Sequence, residues 1–242
     1  MVNEALKTDI GTTRDINQDV LGIEINKNGD KLYILCDGMG GYKGGEIAAK
    51  ECVEYIKTSF IDTSFCDVKE VEKWLYDTIV LANKRINGLA IKNSDLEKMG
   101  TTLVCLIVNK NFKVYASVGD SRIYSYSHKE LVQLSVDQTF AQALLNAGYI
   151  SEKEALIHPK KNLLLCAIGS SEDDLDIQIN QTNETNYLLC SDGLYNMVNH
   201  KEMFKILNTD DELEIKAQNL INLANSNGGK DNISVILVED CL

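Results

Sequence analysis

The sequence predicts a layered α+β domain, and three observations support this fold class. Short apolar segments of strand length recur along the chain, helices occur in pairs between groups of strands, and no βαβ alternation is present. A chain of 242 residues that is 44% hydrophobic can also bury a large core. Because the chain has one proline and no Ser- or Gly-rich spacer, we expect a single domain over residues 1–242.

The first predicted elements are a hairpin and two helices. Residues 20–25 and 32–36 are expected to form strands joined by an Asn-Gly-Asp turn. From Glu46 onward, apolar residues recur at helical spacing on one face. A second helix is predicted to begin at Asp67, because Glu70 lies three positions later, where a capping box places its acidic residue.

Strands dominate the middle of the chain. Four of them are separated by short turns, which predicts an antiparallel meander. Two short helices follow, the second of them capped by Ser151 with Glu154 three positions later. Two strands, a longer helix and a final strand come after them. The predicted strands of the meander are residues 102–108, 112–118, 122–126 and 131–134; the later elements are residues 139–147, 151–158, 175–180, 186–190, 213–224 and 233–238.

Composition and charge narrow the possible functions. The formal net charge of −12 disfavours nucleic acid and anionic membranes as partners. No apolar stretch approaches the roughly 20 residues that span a bilayer, and residues 1–9 lack the hydrophobic core of a signal peptide. The seven cysteines lie mostly in apolar segments without CxxC spacing, which indicates reduced core thiols. We therefore expect a cytoplasmic protein, with a monomer as the default.

Five aspartates share one setting, in or next to a tight turn that abuts an apolar strand. They are Asp19, Asp37, Asp120, Asp192 and Asp231. A single aspartate of this kind is usually a turn residue that caps its own backbone. Five of them indicate a carboxylate cluster that cations must neutralise. Carboxylate and carbonyl oxygens suit Mg²⁺ or Mn²⁺ rather than Zn²⁺.

Two such ions about 3.5–4 Å apart would present hydroxide to an electrophilic phosphorus. Arg14 is the candidate for holding the phosphate oxygens, although a lone arginine in a polar stretch is otherwise a surface residue. None of the three histidines has metal-ligand spacing. The chain also lacks a P-loop, a GxSxG elbow and a Cys-x5-Arg loop, so those classes of enzyme are disfavoured.

In their order along the chain, six segments resemble the motifs of the type 2C metal-dependent serine/threonine protein phosphatases in their bacterial form. The segment DIGTTRDINQD at residues 9–19 resembles the family's D-x-G-x-x-R-x-x-N-E-D. The other five are DGMGG followed by GGEIA, MGTT, VGDSR, SDGL and DNIS, which begin at positions 37, 99, 118, 191 and 231. Together they span nearly the whole chain, and six motifs in the family's order make the resemblance specific.

The resemblance implies a four-layer α-β-β-α sandwich with two central antiparallel sheets and metals at one edge. Asp37 would bridge two ions, with the Gly38 carbonyl as a further ligand. Asp192 and Asp231 would complete the shell of the first ion. The expected cofactors are two or three Mn²⁺ or Mg²⁺ ions.

Further roles follow from the same motifs. Asp19 would hold metal-bound water, and Asp120 would join Asp192 at a third metal site. Arg14 would bind the phosphate of the substrate. Residues 140–162 would form the family's flap beside the active site, and the glycines of residues 40–45 would permit close backbone approach to the metal edge.

Two residues depart from the family's motifs, and a third marks the bacterial form. Gln18 replaces the usual glutamate and keeps an acceptor oxygen without the charge. This change would either weaken the second metal site or leave Gln18 to position metal-bound water through a hydrogen bond. Gln138 stands where many relatives have histidine. Met39 stands where eukaryotic members carry a histidine proposed as general acid, as is usual for bacterial members.

The sequence therefore predicts a phosphatase that hydrolyses phosphoserine and phosphothreonine in proteins, by attack of a metal-bridging hydroxide. By resemblance, its substrates would be phosphoproteins made by a partner serine/threonine kinase. The main alternative is a regulatory phosphoprotein-binding module of the same fold, in which Gln18 marks lost activity. A two-metal nuclease or phosphodiesterase is disfavoured by the acidic charge and the absence of a basic stripe.

Overall fold

The computed structural model describes residues 2–240 except 94, 95, 97, 98 and 171–174, with all side chains except those of residues 41–43. The strands are β1 (Val2–Asp9), β2 (Asp19–Ile25), β3 (Lys31–Met39), β4 (Gly100–Thr101), β5 (Leu103–Val108), β6 (Lys113–Val118), β7 (Arg122–Tyr126), β8 (Leu131–Gln133), β9 (Gln178–Thr182), β10 (Asn186–Cys190) and β11 (Ile233–Asp240). The helices are α1 (Gly41–Ile61), α2 (Val68–Lys92), α3 (Phe140–Asn146), α4 (Glu152–Ile157), α5 (Asp192–Tyr195), α6 (His200–Leu207) and α7 (Leu213–Ser226).

Two antiparallel sheets form the centre of the molecule. The first has the strand order β1-β11-β10-β7-β8, and the second has the order β2-β3-β5-β6-β9 with the short β4 added beside β3. Helices α1 and α2 pack on the outer face of the second sheet. Helices α5, α6 and α7 cover the outer face of the first. This arrangement confirms the predicted four-layer α-β-β-α sandwich.

The β3 strand shows how one apolar segment serves two layers. Leu32, Ile34 and Cys36 pack toward α1 and α2, whereas Tyr33 and Leu35 face the other sheet. Successive side chains of a strand point to opposite faces, and all five of these are fully buried. A strand buried on both faces has no polar alternation, which explains the continuous apolar run in the sequence.

The predicted meander is wrong at its centre. The β6 strand pairs with β5 and β9 in one sheet, whereas β7 pairs with β10 and β8 in the other. The chain crosses between the sheets at residues 119–121, where Gly119 has a φ of +98° that favours glycine. Strands of both sheets are buried on both faces, so their apolar patterns did not distinguish a hairpin turn from a crossing.

Some element boundaries also differ from the prediction. Helix α1 begins at Gly41 rather than at Glu46, because glycines in its first turns carry no apolar side chain that reveals the helical period. The β9 strand lies at Gln178–Thr182 instead of residues 175–180. The sequence did not predict β1, whose side chains are mostly half-buried, or the single-turn helix α5.

The predicted helix caps are present. The Asp67 side chain accepts a hydrogen bond from the Glu70 backbone N–H at the start of α2. Ser151 and Glu154 form a full capping box at the start of α4. Such caps satisfy backbone donors that the first helical turn leaves without partners. The boundaries of these helices therefore follow from local sequence.

Most of the described cysteines are core thiols, as predicted, whereas Cys66 is exposed and Cys166 is half-buried. Four of them are fully buried, and none of the described cysteines forms a disulfide; the buried four are Cys36, Cys52, Cys105 and Cys190. Burial raises the pKa of the Cys105 and Cys190 thiols to about 12, which keeps them protonated and unreactive. Within the described part of the chain, no helix is both long and apolar enough to cross a bilayer.

Candidate metal centre

A cavity of about 570 Å³ opens at one edge of the sandwich, where loops of both sheets meet. Six of the seven predicted site residues line it, namely Arg14, Asp37, Gly38, Asp120, Asp192 and Asp231. The seventh, Asp19, is only 6% exposed and does not line the cavity. The structure therefore brings the predicted cavity-lining residues together from five separate parts of the chain.

Strand pairing places the first two aspartates side by side. Asp19 begins β2, and Asp37 lies near the end of β3; the two residues are directly opposite each other in the antiparallel ladder. Residues opposite one another on one face of such a pair have Cβ atoms about 4.5–5.5 Å apart. Two carboxylates at this separation repel each other, so the register of the hairpin itself creates a demand for positive charge.

The other aspartates arrive from the first sheet and from the crossing between sheets. Asp192 begins α5 directly after β10, and Asp231 precedes β11. Asp120 lies in the crossing turn after β6. Because β10 and β11 are neighbours, the loops at their ends lie on the same edge of the sheet.

Asp19 is held from one side only. Its Oδ2 accepts a hydrogen bond of 2.7 Å from the hydroxyl of Ser191, which is fully buried. Its Oδ1 is buried without a hydrogen-bond partner. Burial raises the pKa of Asp19 to about 6. A buried carboxylate oxygen without a partner destabilises the fold. A cation, or water bound to a cation, would give this oxygen the partner that it lacks.

Burial raises the pKa of three aspartates that line the cavity, and mutual repulsion adds to the effect at two of them. Burial raises the pKa of Asp37 well above its ordinary value, and repulsion from Asp19 and Asp192 adds to the effect. Burial, with repulsion from Asp120, raises the pKa of Asp192 to about 8. The pKa of Asp120 rises to about 6, mainly through burial. Buried and crowded carboxylates of this kind favour a nearby positive charge.

The donor set fits hard divalent cations. Carboxylate oxygens and the carbonyl of Gly38 are ligands of the kind that Mg²⁺ and Mn²⁺ take in proteins. Among the described residues, however, no three side chains of the His, Cys, Asp and Glu types converge closely enough to hold an ion. In this arrangement the Arg14 guanidinium instead donates a hydrogen bond of 2.7 Å to Oδ2 of Asp231.

Close backbone packing shapes the floor of the site. A Cβ atom on Gly38 would lie 2.2 Å from the carbonyl oxygen of Gly45, and one on Gly45 would lie 2.6 Å from the carbonyl carbon of Gly38. Real Cβ atoms do not approach backbone that closely. The first turns of α1 therefore rest against the end of β3, which confirms the close approach predicted for the glycines of residues 40–45.

Asn232 organises the loop that carries Arg14. Its side-chain N–H groups donate to the carbonyls of Ile10 and Ile16, and its Oδ1 accepts from the Gln18 backbone N–H. The residues between β1 and β2 are thereby fastened to the turn that carries Asp231. Sequence reasoning noted Asn232 only as part of the DNIS motif and did not assign it this role.

Gln138 has a structural role that the sequence left open. The side-chain Oε1 of Gln138 accepts a hydrogen bond of 2.7 Å from the Gly119 backbone N–H. The backbone N–H of Gln138 donates to the Gly119 carbonyl. The residue thus fastens the crossing turn immediately before Asp120. An amide side chain performs this task with its carbonyl oxygen, so the position does not need an ionisable ring.

Tyr195 and Arg122 also support the crossing turn. The Tyr195 hydroxyl donates to the backbone carbonyl of Asp120 at 3.1 Å. The Arg122 guanidinium lies over the Tyr195 ring at 3.5 Å and is held by a forked ion pair with Asp137. It also donates to the hydroxyl of Tyr124. These contacts between distant residues have no signature in local sequence spacing.

The three histidines lie outside the cavity lining. The ring Nε2 of His200 is hydrogen-bonded to the Leu131 carbonyl at 2.7 Å. The Nδ1 of His158 accepts from the Lys160 N–H. These contacts agree with the structural roles expected from their spacing.

Comparison with known proteins gives a consistent result. The family model described as Protein phosphatase 2C matches residues 12–211. The chain is 42% identical to the "Serine/threonine phosphatase stp" of Listeria monocytogenes over 237 residues, which cover 96% of this chain and 94% of that protein. It is 36% identical to the "Protein phosphatase PhpP" of Streptococcus pneumoniae, with 97% and 96% of the two chains covered.

Solved structures agree with the sequence relatives. The serine/threonine phosphatase of S. agalactiae superposes with a TM-score of 0.93 at 34% identity, covering 99% of this chain and 100% of that one. The catalytic domain of the serine/threonine protein phosphatase PstP, solved in complex with two manganese ions, superposes with a TM-score of 0.84 at 30% identity, covering 98% and 97% of the two chains.

Proposed function

Because the chain belongs to the protein phosphatase 2C family, and is therefore a metal-dependent protein-serine/threonine phosphatase, we propose that the carboxylate-lined cavity is its catalytic site. One observation carries this assignment. Aspartates from the two sheets and from the crossing between them line a single cavity, where burial and repulsion between carboxylates raise the pKa of Asp37 and Asp192. Such a cluster is stable and useful only with cations present.

The proposed metal ligands follow from the placement of each group. Asp37 and Gly38 lie at the end of β3 in the second sheet, and Asp192 and Asp231 lie beside β10 and β11 of the first sheet, so these groups would hold the ions from both sheets. Asp120 faces the same space from the crossing turn and would serve a further ion together with Asp192. Mn²⁺ or Mg²⁺ bound there would supply Lewis-acid polarisation of the phosphate and a lowered pKa for bound water.

Asp19 is buried next to Asp37 and does not itself line the cavity. Its Oδ2 is engaged by Ser191, and its Oδ1 has no partner, so that oxygen remains to accept a hydrogen bond from water in the site. Since Asp19 lies opposite Asp37 in the ladder, it would also fix the position of the Asp37 carboxylate. We infer that its role is to orient water and Asp37.

Arg14 is proposed to bind the substrate phosphate. Its guanidinium lines the cavity, and its side chain is 53% exposed, so a substrate can reach it. In the present arrangement it pairs with Asp231. A cation on Asp231 would remove the need for that pair, and the planar fork would then be available for two phosphate oxygens.

We further propose one domain over residues 1–242, with residues 140–162 as its flap. The natural substrates are proposed to be phosphoproteins made by a cognate serine/threonine kinase, in a signalling role in the cytoplasm. A monomer is the proposed assembly state. The regulatory module suggested by Gln18 gains no support, since the relatives carry the names of phosphatases.

Activity should depend on the metal and on Asp192. Wild-type protein is expected to release phosphate from a phosphothreonine peptide with Mn²⁺ and to lose this activity with a chelator. Asp192→Asn should lower kcat/KM by about 100-fold or more, because a metal ligand loses its charge. The matched control is Asp77→Asn on α2, an aspartate outside the cavity lining, which should retain activity. Chelator-insensitive release, or full activity of Asp192→Asn, would contradict the assignment.

Gln18→Glu should tighten metal binding. Gln18 lines the cavity, so a glutamate there would add a carboxylate close to the ions. We expect the Mn²⁺ concentration for half-maximal activity to fall about tenfold. A metal titration of both proteins checks this, with Gln18→Leu as the variant that should move the other way. An unchanged half-maximal concentration in Gln18→Glu would show that position 18 does not act on the ions.

A further inference from the structure

A second cavity, of about 450 Å³, lies beside the catalytic one. Its walls come from α3 and α4, and its floor comes from β7 and α5. Asn162 lines both cavities, so the two spaces adjoin. We call the second space the flap cavity, because most of its lining belongs to residues 140–162.

The walls of the flap cavity combine apolar and polar side chains. The apolar ones are Ala141, Leu145, Ala155 and Leu156, and the polar Gln142 lies on α3 beside the first two. Leu156 is 71% exposed although it lies in a helix, so its side chain has little covering it in the free protein. The next residue, Ile157, is 81% exposed, and adjoining exposed apolar side chains mark a surface suited to a partner. Because Ala141 and Ala155 are small, they leave cavity volume that larger side chains at these two positions would occupy.

The floor of the flap cavity carries charges that are already compensated. Arg122 is bound by Asp137 through a forked ion pair and covered by the Tyr195 ring. At the rim, Glu152 and Lys161 have opposite signs. With its charges balanced, the cavity offers no ionic preference, and the apolar side chains of α3 and α4 give it a surface for an uncharged, apolar group.

Taking the proposed function as given, we propose that the flap cavity binds an apolar side chain of the phosphoprotein substrate. A polypeptide whose phosphorylated residue enters the catalytic cavity continues past Asn162, and a flanking leucine or phenylalanine side chain would then enter the neighbouring space. The occupant is thus a large apolar residue close in sequence to the phosphorylated one. This cavity makes the enzyme selective among phosphoproteins through the sequence around the phosphate.

The test compares peptides that differ in one flanking residue. The reference is a phosphothreonine peptide with alanine at the three positions on each side, and the others carry a single leucine at one of those positions. For wild-type protein we expect kcat/KM for one leucine peptide to exceed that of the reference by about tenfold, the discrimination that apolar pockets provide.

Two variants alter the cavity in opposite ways. Ala155→Leu fills it, and Leu156→Ala removes part of its wall; both should reduce the ratio of kcat/KM between the leucine peptide and the reference to about one. The matched control is Ala147→Leu, which adds the same side chain at an exposed position outside the flap cavity and should keep the ratio. Because Leu156 is largely exposed, its truncation provides the test if Ala155→Leu fails to fold.

Two results would overturn the inference. One is equal turnover of all peptides by wild-type protein, and the other is an undiminished leucine preference in Ala155→Leu or, should that variant not fold, in Leu156→Ala. Failure of the proposed function looks different, because then neither peptide releases phosphate in a chelator-sensitive way, and both proposals fall together.

Discussion

Asp37→Asn should abolish phosphate release and at the same time make the metal-free protein more stable to heat. Asp37 faces Asp19 across the β2–β3 ladder and lines the catalytic cavity with the other aspartates. Losing this proposed metal ligand would remove several kcal/mol of metal-dependent stabilisation of the transition state, which corresponds to about a 1000-fold loss of kcat/KM.

The stability change has the opposite sign because the carboxylates repel each other without metal. Like charges directly opposite in a ladder are unfavourable by up to about 1 kcal/mol. Removing one of them should raise the Tm in chelator by about 2–4 °C for a chain of this length. Mn²⁺ at about 100 times its Kd should then stabilise the wild type by about 2.7 kcal/mol and the variant by much less.

Asp30→Asn is the matched control at the other end of the same hairpin. There the carboxylate is satisfied, since Oδ1 accepts from Asn109 and Oδ2 accepts from Asn26. An asparagine would bring an amide N–H group against these donors, so this variant should lower the Tm and keep the Mn²⁺ response. Thermal unfolding with and without Mn²⁺ checks both variants. A lower Tm for Asp37→Asn in chelator would refute the idea of stored repulsion.

Arg122→Met should destabilise the fold by about 3–5 kcal/mol, because it leaves the Asp137 carboxylate without its partner. The guanidinium holds both oxygens of Asp137, donates to the Tyr124 hydroxyl and covers the Tyr195 ring. Its side chain is 22% exposed and that of Asp137 is 11% exposed, so water compensates little. The expected fall in Tm is about 10 °C.

Urea unfolding of three proteins measures this effect. The double variant Arg122→Met/Asp137→Leu should recover most of the lost free energy, because it removes both charges together. The exposed pair of Lys27 and Asp62, with side chains 64% and 80% exposed, gives the comparison. Lys27→Met should change the free energy of unfolding by less than about 1 kcal/mol. A loss below that value for Arg122→Met would show that the ion pair does not stabilise this part of the fold.

Local sequence predicted the elements whose signals lie within a few residues. The cap at Asp67, the capping box at Ser151 and the β2–β3 hairpin are all present. The convergence of the aspartates was also predicted, because turns that end apolar strands carry a visible pattern and the motif order matched a known family. Prediction from sequence therefore succeeded for features whose chemistry is visible within a short stretch of sequence, such as helix caps and strand-end aspartates.

What local sequence could not predict depends on distant partners. The crossing at Gly119 looks like a hairpin turn, because the flanking strands are apolar on both faces in either case. The contact of Tyr195 with the Asp120 carbonyl joins two motifs whose spacing carries no information about it. The pairing of Arg14 with Asp231 likewise spans most of the chain.

The pairing of β1 with β11 has a consequence for how the protein folds. Val2 lies opposite Asp240 and Asp9 lies opposite Ile233, so one ladder joins segments separated by more than 200 residues of sequence. Closing so long a loop is entropically costly and slow compared with forming a hairpin. The β2–β3 hairpin can bring Asp19 and Asp37 together early, whereas Arg14 and Asp231 meet only when this ladder closes. We therefore expect the proposed metal site to be complete only at a late step of folding.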